Sequence, residues 1–150
     1  MYKHILIPTD GSDVAKKGVN EGLALAQELG AMVTIMTVTE QLHTYAGPAG
    51  GAGWTPAPDE MVEYEAGRKE AADKILAEAK AAADRLGVEA ETVHVPDALP
   101  AEAIILAAKD RGCSLIAMSS HGYRGLDRLL LGSQTSEVLA HSPVPVLVVR

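Results

Sequence analysis

Five short apolar segments alternate along this chain with four segments of helical periodicity. The apolar segments are HILIPTD (4–10), AMVTIMTVT (31–39), VEAETVHV (88–95), CSLIAMSS (113–120) and VPVLVV (144–149). Most are apolar on both faces, which is typical of parallel strands covered by helices on both sides; the third alternates apolar and polar residues, as strands near a sheet edge do. With right-handed crossovers, this order predicts an α/β fold with a doubly wound, five-stranded parallel sheet flanked by helices.

The segments between the strands carry helix signals. In residues 11–30, apolar positions recur on one helical face, and Ser12 or Asp13 can cap the start. Gly18 and Gly22 inside this helix each cost about 1 kcal/mol relative to alanine, so we expect them to allow close packing on the sheet. Three further helices are predicted over residues 59–86, 99–112 and 133–141.

Residues 40–58 interrupt the alternation. Their sequence, EQLHTYAGPAGGAGWTPAP, is rich in glycine, proline and alanine and has no period. Such a segment is longer than a routine connection, so we expect a flexible loop, either a lid or a disordered segment. No repeat or linker divides the rest, and 150 residues suffice for one core, so a single domain over residues 1–150 is predicted.

Charge and cysteine content limit the environment and the partners. A formal net charge of −7 argues against nucleic acid or a membrane surface as a partner, because both need clustered lysine and arginine. The first apolar stretch ends at Pro8 and Asp10, too early for a signal peptide or a membrane span. Cys113, the single cysteine, is interpreted as a packed core thiol. We expect a cytoplasmic protein.

A glycine-rich segment separates the last two predicted strands. Gly122 and Gly132 lack a Cβ, so the backbone can turn through positive φ and bring N–H groups close to an anion. Gly132 and Ser133 open a helix, whose free N–H groups and positive dipole end attract phosphate. If the first and fourth strands are neighbours, Thr9 and Asp10 face this loop where the winding reverses. The alternative is a plain surface connection.

Asp10 follows the first strand, and the sequence leaves its role open. Its carboxylate suits the hydroxyls of a ribose, a magnesium ion held through water, or the N-cap of the next helix. The chain contains neither G-x-x-x-x-G-K-[ST] nor G-x-G-x-x-G after a strand, so the Walker and dinucleotide-binding signatures are both absent.

Three motifs together resemble the universal stress protein family: ILIPTDGS near the start, MSSHG plus nine residues plus GS, and the closing SPVPVLVV. The resemblance implies a Rossmann-like, adenine nucleotide alpha hydrolase-like fold that binds ATP or AMP through G-x-x-G-x9-G-[ST]. Gly122 matches the second glycine, and Gly132 with Ser133 the last pair, whereas Ser119 stands at the first glycine. A positive φ there would strain serine by about 1 kcal/mol; if only its N–H is needed, serine is harmless.

By the same resemblance, the nucleotide-binding residues come from four places in the chain. They are Pro8, Thr9 and Asp10 at the adenosine end; Val38, whose backbone would meet the adenine edge; Met118, Ser119, Ser120, His121 and Gly122 around ribose and phosphates; and Gly132, Ser133, Gln134 and Thr135 at the phosphate tail. Arg124 and Arg128 would reach the phosphates or remain solvated. A nucleotide-bound magnesium would lie near Asp10.

The sequence of the last predicted strand indicates that the chain pairs with a second copy of itself. Pro143 and Pro145 lack ladder donors and belong on an edge strand. An apolar edge invites pairing with a copy of itself, and the resemblance likewise implies a homodimer through Val144, Val146 and Val148. The alternative is an edge that the prolines block.

Two functions follow from these features. The first is a cytoplasmic stress-response regulator that changes shape or partners when ATP or AMP is bound. The second is a dimeric interaction module of the same family without nucleotide. His121 has no acid–base partner that spacing can identify, so we expect at most slow ATP hydrolysis and no catalytic residue. The histidines lack metal-ligand spacing, so no transition-metal site is expected.

Overall fold

The computed structural model describes residues 1–40, 57–122 and 131–150. The described strands are β1 (His4–Pro8), β2 (Met32–Thr39), β3 (Ala90–Pro96), β4 (Leu115–Ser119) and β5 (Val146–Val149). The described helices are α1 (Asp13–Leu29), α2 (Pro58–Leu86), α3 (Pro100–Asp110) and α4 (Ser133–His141). The loop prediction for residues 40–58 lies almost entirely outside these ranges, as do the roles suggested for Arg124 and Arg128.

The five strands form one parallel sheet in the order β3-β2-β1-β4-β5. Leu6 of β1 pairs with Thr34 of β2 on one side and with Ile116 of β4 on the other. The winding reverses between β1 and β4, so the first and fourth strands are neighbours, which is the condition on which the sequence argument for Thr9 and Asp10 depended. The doubly wound five-stranded sheet is confirmed, and β3 and β5 form the two edges.

Hydrophobic residues fill both faces of the sheet because alternate strand residues point to opposite sides. Ile5 and Ile7 belong to a core that also contains Leu23 of α1 and residues of α2. Leu6 and Ile116 belong to a second core with residues of α3 and α4. The central strands therefore contain few polar residues on either face, which is why the sequence indicates them clearly.

Helix α1 lies very close to the sheet, and its two interior glycines explain how. A Cβ on Gly18 would lie 2.8 Å from the backbone nitrogen of Ser119, and one on Gly22 would lie 2.6 Å from a side-chain carbon of Ile7. The prediction that these glycines allow close packing is confirmed. Ser12 caps the helix, since its hydroxyl accepts the N–H of Ala15 at 3.1 Å.

The last strand is shorter than predicted. It begins at Val146 rather than Val144, because the prolines before it cannot donate to the ladder; Pro145 contributes only its carbonyl, which accepts the N–H of Ile116 at 3.0 Å. Val144 and Val146 pack against the α3–α4 core and are half-buried. On the opposite face Leu147 is 39% exposed. Part of the valine surface assigned to a homodimer therefore already covers the chain's own core.

Cys113 lies just before β4 and is 4% exposed, which confirms its interpretation as a packed thiol. None of the helices in the described ranges is long and apolar enough to span a bilayer.

Candidate functional site

A cavity of about 350 Å³ opens at the carboxyl end of the sheet, where the winding reverses. Its walls come from the ends of β1, β2 and β4, the starts of α1, α3 and α4, and the segment after β4. The lining residues are Pro8, Thr9, Asp10, Ala15, Met36, Val38, Glu40, Pro100, Ile104, Met118, Ser119, His121, Gly122, Gly132, Ser133, Gln134 and Thr135. Within the described ranges, the predicted nucleotide-binding residues are all among them except Ser120.

Sequence reasoning missed five residues of this wall: Ala15, Met36, Glu40, Pro100 and Ile104. Two of them had a local signal, because Met36 shares a strand face with Val38, and Glu40 immediately follows the end of that strand. The α3 residues had none, since only the packing of α3 over β1 and β2 brings that helix to the cavity.

The end of β2 offers peptide groups to the cavity. The carbonyl of Met36 accepts the N–H of Thr9 at 2.8 Å, so Met36 directs its peptide groups toward β1. Alternation along a strand turns the peptide groups of Val38 to the same side. Because β1 ends at Pro8, no β1 residue is paired with Val38. An N–H and a carbonyl in one plane can bind the edge of a flat heterocycle.

The turn after β1 holds Asp10 at the cavity. One carboxylate oxygen of Asp10 accepts the N–H of Ser12 at 2.9 Å, and Ser12 rather than Asp10 caps α1. The other carboxylate oxygen lies against Gly122, so closely that a Cβ on Gly122 would overlap it. Among the alternatives left open for Asp10, the helix cap is thereby excluded, and its carboxylate faces the ligand space.

The expectation of positive φ at Gly122 and Gly132 is wrong. Neither belongs to the described residues with positive φ, and Gly132 has φ −60° and ψ 154°. The lack of a Cβ gives room at both positions: one on Gly122 would overlap the Asp10 carboxylate, and one on Gly132 would lie 3.1 Å from the carbonyl oxygen of Ser120, which is closer than most such contacts.

Ser119 lies in β4 and likewise has no positive φ. Serine therefore causes no backbone strain at the first motif position. Its hydroxyl donates to the carbonyl of His121 at 2.7 Å, so it stabilises the segment that follows β4.

Two expected phosphate donors are engaged within the chain. The N–H of Gly132 donates to the carbonyl of Ser120 at 2.8 Å, and the hydroxyl of Thr135 donates to the carbonyl of Ser119 at 3.0 Å. These bonds fix the start of α4 against the end of β4. The N–H groups of residues 133–135 belong to the first turn of α4 and have no acceptor within their helix, so they remain the anion-binding group at this end of the cavity.

Ser120 supports the wall instead of lining it. Its N–H donates to the carbonyl of Val149 at 2.8 Å, and its hydroxyl is 2.9 Å from Nδ1 of His121. Ser120 is 6% exposed. Its hydroxyl therefore orients the imidazole of His121, which does line the cavity.

The charge of the described lining is acidic. Asp10 and Glu40 contribute carboxylates, His121 a titratable imidazole, and neither lysine nor arginine occurs among the described lining residues. Within the described ranges, no group of three or more histidine, cysteine, aspartate or glutamate side chains is placed to hold a metal ion. Positive potential toward a ligand comes, in this part of the chain, from backbone N–H groups.

Fold and cavity together define a doubly wound α/β protein with a ligand site at its switch point. Comparison with known proteins agrees with this class, because the sequence profile of the universal stress protein family matches residues 1–150. The chain belongs to the universal stress protein family.

Relatives of the chain align over its full length. It is 37% identical to a universal stress protein of Thermus aquaticus and 34% identical to universal stress protein YxiE of Bacillus subtilis, in each case covering 100% of both chains. The solved structure of MJ0577, a protein of Methanocaldococcus jannaschii, superposes with a TM-score of 0.78 at 31% identity, covering 99% of this chain and 96% of that one.

Two more distant structures share the fold and contain nucleotides. A universal stress protein in complex with cAMP has a TM-score of 0.68 at 23% identity, with 99% and 97% of the two chains covered. One from Archaeoglobus fulgidus in complex with dAMP has a TM-score of 0.64 at 18% identity, with 99% and 98% covered.

Proposed function

We propose that this chain binds adenine nucleotide, ATP or AMP, in the cavity at the carboxyl end of the sheet and acts as a cytoplasmic stress-response regulator. The observation that carries the proposal is the cavity itself. It has a volume of about 350 Å³ at the switch point and is bordered by strand-end peptide groups and a helix N-terminus. Small-molecule sites in proteins occupy roughly 300–1,000 Å³, and a mononucleotide fits the lower part of that range.

The lining divides into parts that suit the three parts of a nucleotide. The peptide groups of Val38 would bind the edge of the base, between the apolar side chains of Met36 and Ile104. The carboxylate of Asp10 would accept hydroxyls of the ribose. The first-turn N–H groups of α4 would bind phosphate, as helix N-termini commonly do.

A divalent cation would complement this arrangement. Asp10 and Glu40 bring negative charge to a cavity that would also receive phosphate, and magnesium commonly joins one or two carboxylates to phosphate oxygens through water. We expect magnesium to strengthen ATP binding more than AMP binding. We expect at most slow hydrolysis, since Nδ1 of His121 is bonded to the hydroxyl of Ser120 rather than to a carboxylate.

Related structures support a nucleotide as the ligand. Universal stress proteins of the same fold are described in complex with cAMP and with dAMP. Both ligands combine adenine with a single phosphate, the combination for which this cavity has a strand edge and a helix N-terminus.

We also propose a homodimer through β5, because this strand is a sheet edge and exposes Leu147 beside Val148. Light scattering of Leu147→Asp tests it: a monomeric variant from a dimeric wild type supports the proposal, and a monomeric wild type contradicts it.

The second candidate function is a dimeric interaction module without nucleotide. Two observations favour it. The N–H of Gly132, an expected phosphate donor, is bonded to Ser120, and the described lining contains two carboxylates but no lysine or arginine. The first removes one donor from a bound phosphate, and the second means that the described lining supplies no cationic side chain to it.

Calorimetric titration with ATP and AMP, with and without magnesium, distinguishes the two functions. Saturable binding below millimolar concentration supports the nucleotide proposal, and its absence at millimolar nucleotide and magnesium favours the interaction module. Gly122→Ala should weaken binding at least about tenfold because the new Cβ overlaps the Asp10 carboxylate. The matched control is Gly67→Ala, where a Cβ meets nothing within 4 Å.

Ser119→Gly tests the motif departure. Since Ser119 has no positive φ, restoring glycine should change nucleotide affinity by less than about threefold. A large gain would show that the serine impairs the cavity.

A further inference from the structure

The first turn of α3 is capped by a side chain from another helix. Leu99, at the N-cap, makes no side-chain cap bond, and Pro100 has no N–H. The first N–H of α3 is therefore that of Ala101, and it donates to Oε1 of Gln134 at 3.0 Å. Gln134 is the second residue of α4, so this bond joins the N-terminal turns of α3 and α4 at the cavity.

This bond also sets the orientation of the Gln134 amide. A backbone N–H can only donate, so the atom that receives it must be the carbonyl oxygen. The amide nitrogen Nε2 then keeps both hydrogens, and no described residue accepts them. Gln134 lines the cavity and is solvent-exposed. Its two amide hydrogens are therefore left for solvent or for a ligand in the cavity.

We propose that Gln134 contributes to ligand specificity by acting only as a hydrogen-bond donor. The N–H of Ala101 in α3 occupies its carbonyl oxygen, and its amide N–H groups bind an acceptor atom of the ligand. The inference rests on the proposed nucleotide binding and assigns a contact to one side chain. Ribose oxygens, phosphate oxygens and ring nitrogens are all acceptors. A ligand that places a donor there leaves two donors facing each other and is rejected.

Two substitutions separate the ligand contact from the helix cap. Gln134→Glu keeps an acceptor for the N–H of Ala101 but removes the donors, and Gln134→Met removes both. A carboxylate beside the N-terminal turns of two helices is favourable, so the melting temperature of Gln134→Glu should equal or exceed that of the wild type. Gln134→Met should melt about 2–6 °C lower through loss of the cap.

Titration with adenosine and with AMP, well below the melting temperatures, then measures the contact. Gln134→Met introduces no charge, so a loss of affinity that it shares with Gln134→Glu reports the missing hydrogen bond, whereas a loss confined to Gln134→Glu reports charge repulsion. Both variants should bind at least about fivefold more weakly than the wild type. A loss confined to AMP identifies phosphate as the acceptor, and an equal loss for adenosine identifies the nucleoside; either result supports the proposal.

Glu102→Ala is the control, because Glu102 is acidic in the first turn of α3 but does not line the cavity. It weakens the same helix end and should leave affinity within twofold of the wild type. Binding of both ligands within twofold of the wild type by either Gln134 variant overturns the assignment. A wild type that binds neither ligand contradicts the proposed function itself, a result visible before any variant is compared.

Discussion

At the amino end of the sheet, polar side chains bond to one another, whereas at the carboxyl end they border a cavity. Thr34, fully buried in β2, donates to Glu91 at 2.8 Å, and its oxygen is 2.7 Å from Nε2 of His4. Arg111 donates to the same Glu91 oxygen at 2.6 Å. We call these four residues the amino-end network; they tie β1, β2 and β3 to the turn after α3.

The two ends of the sheet therefore have different roles: hydrogen bonds between side chains stabilise the amino end, and the carboxyl end is shaped to bind a ligand. Amino-end groups bond to each other, and the fully buried hydroxyl of Thr34 thereby avoids the desolvation cost of an unpartnered polar group. At the carboxyl end, the absence of a Cβ on Gly122 and Gly132 leaves room for the Asp10 carboxylate and the Ser120 carbonyl, and the N–H groups of residues 133–135 have no acceptor within their helix. The amino end should therefore control stability and the carboxyl end ligand affinity.

The largest expected contrast is in thiol reactivity. Burial raises the pKa of Cys113 to about 11, from an ordinary value of 9.0, so near pH 8 its thiolate fraction falls about 100-fold. Alkylation by iodoacetamide should be slower by at least that factor in folded than in unfolded protein.

The carboxyl end provides the matched thiol. In the double variant Cys113→Ser, Ser133→Cys, the new cysteine lies at a helix N-terminus on the cavity, where a thiol pKa is lowered. It should react at least as fast as a thiol of the unfolded chain. Equal protection of both thiols would remove the contrast between the ends.

Gly18→Ala should give the largest loss of folding free energy among the single substitutions considered. Its Cβ would lie 2.8 Å from the backbone nitrogen of Ser119, and β4 cannot move away without disturbing its neighbours. We expect a loss of about 1–3 kcal/mol in urea unfolding. Gly67→Ala, in an exposed part of α2, should instead gain about 0.5–1 kcal/mol; a neutral Gly18→Ala would show that α1 is free to shift.

Thr34→Val removes the centre of the amino-end network while keeping the side-chain shape. The His4 imidazole loses its hydrogen bond to Thr34, and Glu91 keeps only its bond to Arg111, so we expect a loss of about 1–2 kcal/mol in unfolding free energy. Nucleotide affinity should stay within twofold of the wild type. A stability loss accompanied by weaker binding would mean that the two ends are coupled.

Glu91 should give the smallest effect, and a pH-dependent one. The hydrogen bond from Thr34, with Arg111 adding to it, holds the pKa of Glu91 below its ordinary value of 4.5. The stability that ionised Glu91 contributes is therefore complete above pH 4.5 and is lost as pH falls through the lowered pKa. Because the carboxylate is 46% exposed, we expect less than about 1 kcal/mol.

Unfolding of wild type and Glu91→Gln at successive pH values measures this contribution. The stability difference between them should vanish in acid. A difference that does not change with pH would assign the effect to packing rather than to charge.

The order and type of the elements could be predicted because burial on both faces leaves a continuous apolar run in the sequence. The position of the site followed from the same order, since parallel strands bring Asp10 and Gly122 to one end of the sheet. The sequence predicted a positive φ at Gly122 and Gly132, and this was wrong. Neither residue has a positive φ; the absence of a Cβ instead leaves room for the Asp10 carboxylate and the Ser120 carbonyl.

Local sequence alone therefore accounts for the strands and the helices, which depend on periodicity or on turn residues close together in the chain. The switch point needed the sheet itself, because only the observed strand order makes β1 and β4 neighbours. Other contacts join residues that are far apart in the chain. The two partners are separated by 12 positions in the bond of Gly132 to Ser120, by 33 in the cap that Gln134 provides for α3, and by up to 57 in the amino-end network. No local pattern encodes such pairs, because they depend on how the elements pack once the chain is folded, and that packing decides which polar groups remain for a ligand.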